Sequence, residues 1–158
     1  MGRKRTILPL AAATLVAVGV LAFVVTSEPH YDIRPGAEAD SPHCARMTEK
    51  APAELAGQPR HSTGLSGVVV WGDNDIVLRC GVPELGPTTD PCFAAEGVDW
   101  VIDSTRSKDA KKVITTYGRA PATEVTLTRP QSAPDAALID LSALVAPIKQ
   151  TEKCIESN

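Results

Sequence analysis

Trp71, Arg79, Trp100, Tyr117 and Arg119 are the side chains best suited to hold a ligand. Arginine presents a planar fork that matches a carboxylate or phosphate at two points. Aromatic faces beside it would stack on a sugar or a peptide stem. Beyond residue 40 the chain holds only four aromatics: Trp71, Phe93, Trp100 and Tyr117. A chain so poor in aromatic residues has another use for tryptophan, which is to fill its core. On that reading Arg79 or Arg119 pairs with Asp73 or Asp99 as a structural partner.

Signatures of catalysis are missing. Ser66 sits in Gly64-Leu65-Ser66-Gly67, which is not the G-x-S-x-G elbow. His61 stands beside Ser62 and Thr63 without a wider motif. His43 adjoins Cys44, but no C-x-x-C or H-x-x-x-H spacing accompanies it, so no metal is expected. Asp73-Asn74-Asp75 lacks the glycine and distal glutamate of a calcium loop. There is no glycine-rich phosphate loop, no cofactor is expected, and no residue is assigned a catalytic role.

Cys44, Cys80, Cys92 and Cys154 are the remaining reactive groups. An even count in a domain expected to be exported argues for disulfides. Four cysteines allow three pairings. Loop considerations favour Cys80 with Cys92, around the proline-rich stretch between them, and Cys44 with Cys154, closing the whole domain.

The elements that must position these residues are legible in outline. Residues 7–25, from Ile7 to Val25, contain no charge over nineteen positions, about the length that crosses a hydrocarbon core. Arg3, Lys4 and Arg5 precede them, which predicts a cytoplasmic basic tail over residues 1–6 and export of the chain beyond the apolar run. The rival reading is a cleaved signal, but the first small-x-small triplet, Ala37-Glu38-Ala39, lies well beyond the run. Residues 26–40 read as a spacer, and 41–158 as the extracytoplasmic domain. Ser41-Pro42 predicts a helix start, with Glu54-Leu55-Ala56-Gly57 as a further helical turn. Five strands are predicted: 67–71, 76–80, 98–102, 112–117 and 124–128. A capping box at Ser132 and Asp135 opens a last helix carrying Leu138, Leu141, Leu144, Val145 and Ile148. The expected class is α+β: an N-terminal transmembrane helix, then a small antiparallel sheet flanked by N- and C-terminal helices.

Four strings occur together: Trp71-Gly72-Asp73, Leu78-Arg79-Cys80-Gly81-Val82-Pro83, Gly97-Val98-Asp99-Trp100 and Thr115-Thr116-Tyr117-Gly118-Arg119-Ala120-Pro121. With the four cysteines, they resemble the actinobacterial family of membrane proteins called domain of unknown function 3515. The resemblance runs from about Ser41 to Cys154 and includes the apolar run. It implies an anchored or exported envelope protein, and it implies no activity.

Charge narrows the partners. Net charge is −3; setting aside Arg3, Lys4 and Arg5 leaves 13 basic against 19 acidic residues, or −6. Such a domain lacks the footprint of a nucleic-acid binder. It is also a poor match for anionic lipid headgroups. The expected partners are the lipid bilayer, through the N-terminal helix, and either another envelope protein or a cell-wall component. The expected function is a non-enzymatic binding or accessory module of the cell envelope. The alternatives are a small envelope hydrolase or a structural subunit of a membrane complex.

Overall fold

A computed structural model describes residues 32–128 and 134–155. Its centre is one antiparallel sheet of eight strands, β1 to β8, in the order β1-β2-β3-β4-β8-β7-β6-β5. The strands are Glu54–Leu55, Gln58–His61, Val68–Trp71, Ile76–Val82, Cys92–Ala95, Val98–Ile102, Lys112–Thr116 and Ala122–Leu127. The chain builds a meander from β1 to β4, moves to the opposite edge, and returns through β5, β6 and β7 to place β8 against β4. Helix α1 spans Pro42–Lys50 and α2 spans Pro134–Val145.

Eight strands correct the expectation of five. The five predicted strands correspond to β3, β4, β6, β7 and β8, which carry the β-branched runs. The three missed strands have unpromising compositions. The predicted helical turn at Glu54 is instead a hairpin, with Leu55 opposite Gln58. Its two turn residues, Ala56 and Gly57, both have positive φ (50° and 77°), as a two-residue hairpin turn demands. The same device, at Glu96 and Gly97 (φ 47° and 73°), joins β5 to β6. The predicted transmembrane helix and the Ser132 cap lie outside the described residues. Among the described residues no helix is long and apolar enough to cross a membrane.

Period-2 alternation divides the sheet into two faces. One face turns Ile76, Leu78, Trp100, Ile114, Val125 and Leu127 into a core covered by the helices. From α1 come Cys44 and Met47; from α2 and the turn beyond it come Leu141, Val145 and Ile148. Ser41 caps α1, its hydroxyl accepting from Cys44 N at 3.3 Å, with proline at the helix start.

The second face carries Val77, Arg79, Val113, Thr115, Glu124 and Thr126, which adjoin across the β4-β8-β7 register. Residues 32–41, read from sequence mainly as spacer, lie against the domain as a strap. Glu38 N donates to Gly81 O at 2.9 Å, and Ala39 is buried. The cause is a bulge: the β4-β8 register shifts between Cys80 and Val82, and Gly81 takes φ 87°. The strap passes so close that a Cβ on Gly36 would strike the Gly81 backbone.

The disulfides differ from the favoured pairing. Cys44 bonds Cys80 and Cys92 bonds Cys154, with Cα atoms 5.4 and 6.1 Å apart. Helix α1 packs on central strand β4, which brings Cys44 to Cys80. Asp99 on β6 accepts from Cys154 N at 2.9 Å, which sets the C-terminal segment near edge strand β5 and Cys92.

Candidate functional site

The five residues singled out from sequence do not converge. Trp71 and Trp100 are fully buried on the helix-covered face. Each indole N–H is satisfied internally: Trp71 donates to Pro52 O at 3.0 Å and Trp100 to Ser142 Oγ at 3.1 Å. Arg79 points to the second face, opposite both tryptophans. Arg119 is buried at 5% exposure and donates to the carbonyls of Ile148 and Gly97 and to Gln150 Oε1. Burial depresses the Arg119 pKa, with Asp99 partly opposing. Arg119 thus pins the C-terminal segment, which also bonds through Thr151 N to Gly118 O at 2.7 Å. Tyr117 is half-buried, its N–H donating to Asp99 O at 2.8 Å.

Of the five, Arg79 lines a groove of about 540 Å³ on the second face. The strap forms one wall, through Asp32, Ile33 and Arg34. The loop between β6 and β7 forms the other, through Arg106 and Lys111. Its floor is Val77, Val113 and Thr126.

A charge network crosses this floor. Glu124, 8% exposed at its side chain, pairs through Oε1 with Arg79 at 2.8 Å and through Oε2 with Arg106 at 2.7 Å. Arg79 also donates through Nε to Arg34 O at 2.8 Å, tying the strap to the sheet. Arg106 is aimed by a local turn. Asp103 Oδ1 accepts from Thr105 N at 3.0 Å and Arg106 N at 2.8 Å, an Asx turn, while its Oδ2 accepts from Arg106 Nε at 2.5 Å. The Arg106 side chain, followed by Thr105, holds the Asp103 carboxyl well below the usual carboxylate range. For Arg106, burial works against the charge, but the bonds to Glu124 and Asp103 outweigh it and raise the pKa.

Sequence reasoning missed Arg34, Arg106, Lys111 and Glu124. A signal was present for one: Val125 and Leu127 alternate inward, so Glu124 and Thr126 must face the other way. The structural pairing read from sequence, Arg79 or Arg119 with Asp73 or Asp99, is not the one Arg79 makes: it pairs with Glu124.

The second depression, about 560 Å³, is open and lined by Arg60, His61, Ser62 and Thr63. Among the described residues no carboxylate is hydrogen-bonded to His61, so this is no assembled triad. No group of three or more metal-ligating side chains occurs among the described residues.

A family model described as protein of unknown function (DUF3515) matches residues 8–154. The chain belongs to the DUF3515 family. No curated protein and no solved structure matches it. The family description assigns no activity, so the four strings acquire meaning only from their placement. Trp71 and Trp100 serve the core, Gly81 the strap, Gly118 and Arg119 the C-terminal segment, and Arg79 the groove.

Proposed function

We propose that this DUF3515 domain is a non-enzymatic binding or accessory module, held at the extracytoplasmic face of a membrane by the apolar run 7–25. The observation that carries the reading is the second face of the sheet. It keeps an open groove and commits two arginines to a nearly buried glutamate at its floor. Buried charge of this kind contributes little net stability compared with apolar packing, so its place on an open face favours recognition. Two disulfides support residence in an oxidising compartment. The basic residues ahead of the run support outward orientation of the domain.

Crosslinking of the full chain in native membranes, with a photoreactive residue in place of the exposed wall residue Asp32, tests the reading. Recovery of a defined partner that is lost on Glu124→Ala supports it. Turnover of lipid or cell-wall substrates by the purified full chain would replace it with a hydrolase.

A further inference from the structure

The domain's net charge conceals a local reversal. The groove is lined by four cations, Arg34, Arg79, Arg106 and Lys111, against two acids, Asp32 and Glu124, for a local charge of +2. Residues 6–158 carry −6 in total, so everything outside the groove carries −8. A cationic groove on an acidic surface focuses field lines at one point and repels anions elsewhere.

The donors are arranged as well as concentrated. Both Glu124 oxygens are taken, one by each arginine. That carboxylate fixes two guanidinium groups on either side of it. Among the described residues, Arg79 Nη2 and Arg106 Nη1 have no hydrogen-bonded acceptor, and Arg34 and Lys111 have no ion pair. The Thr126 hydroxyl and the Val77 and Val113 side chains complete a floor that is part polar and part apolar. Free guanidinium N–H groups beside a free ammonium make a site for a doubly coordinated oxyanion.

We propose that the groove binds a phosphate group carried on a small, partly apolar molecule. The proposal rests on the binding-module reading and names the ligand class of the same site. Asp32, in the groove wall, lies seven positions after Val25 at the end of the apolar run. A phospholipid headgroup is therefore one source of the phosphate, and a soluble phosphate ester is the other.

The test uses the isotope-labelled full chain in nanodiscs of an uncharged, phosphate-free galactolipid. Two probes are titrated: glycerol phosphate, and short-chain phosphatidylglycerol below its micelle concentration. The readout is the NMR shift of the Arg79 and Arg106 Nε–H groups and of the Lys111 amide. Saturable shifts are expected, weakened at least tenfold in the double variant Arg34→Glu, Lys111→Glu. Those two side chains are exposed and leave the Glu124 network intact, and unchanged near-ultraviolet dichroism of the buried tryptophans verifies the fold. Response to both probes identifies the phosphate itself as the ligand group. Response to the lipid probe alone identifies a headgroup. Absence of saturable shifts with either probe at millimolar concentration overturns the proposal, as does equal affinity of the double variant. A crosslinked protein partner recovered despite that absence would remove the ligand class and leave the module reading standing.

Discussion

Glu124 is a carboxylate that the fold cannot leave unpaired. It sits on β8 directly opposite Arg79 on β4, and Arg106 reaches it from the loop. Removing this carboxylate leaves two neighbouring arginines without their shared partner. Glu124→Ala is expected to cost about 1–2 kcal/mol, between the values for exposed and buried ion pairs, because water reaches both arginines it leaves behind; urea unfolding measures it. Asp103 governs the same network from the loop. Its folded-state pKa is depressed, so its contribution is complete above the ordinary carboxylate pKa of about 4 and is lost as pH falls below that value. The urea midpoint of the natural chain should drop between about pH 6 and about pH 3 more steeply than that of Asp103→Asn. Equal slopes would show that Asp103 is not the group responsible.

At the scale of elements, two attachments shape the domain. Helix α2 is pinned to the sheet where Trp100 donates to Ser142, both buried. Ser142→Ala would leave the indole N–H without an acceptor in an apolar layer, a cost of about 1–2 kcal/mol. Thermal unfolding monitored by tryptophan fluorescence reads that loss, and an unchanged midpoint would mean that another acceptor replaces Ser142. The strap is attached differently, through a backbone bond at the Gly81 bulge and the Arg79 bond to Arg34 O. Arg79 therefore serves two structures together, the strap and the groove floor. Strands β3, β4, β6, β7 and β8 were legible because β-branched residues repeat there at short spacing. Strands β1, β2 and β5 were not. Gln58–His61 contains proline and polar residues, and Cys92–Ala95 follows a proline-rich stretch. Those strands are held by hairpin geometry and by a neighbouring strand rather than by their own propensity.

For the whole molecule, the two disulfides differ in access. Cys44 and Cys80 are fully buried, whereas Cys92 is exposed and Cys154 half-buried. Each closes a long loop, with sequence separations of 36 and 62, worth about 4 kcal/mol apiece by chain entropy. Thiolate attack requires access to sulfur. Mild reductant with alkylation and peptide mapping should label Cys92 and Cys154 well before Cys44 and Cys80. Simultaneous labelling of all four would show that the core opens as easily as the edge.

The sequence by itself determined the periodic core of the five β-branched strands, the Ser41 cap, the mean charge, and the presence of disulfides. Each of these is a local or summed property: alternation along a strand, a serine before a proline, a count of charges, an even number of cysteines. Three matters were left to the tertiary structure. The cysteine partners depended on α1 crossing β4 and on Asp99 drawing Cys154 N toward the β5 edge. The roles of Trp71, Trp100 and Arg119 depended on which face and which segment enclosed them. The groove depended on β8 returning to lie against β4, which sets Glu124 opposite Arg79 across 45 residues of chain. Contacts that close such distances are selected by packing of the whole domain, and no short window of sequence contains them.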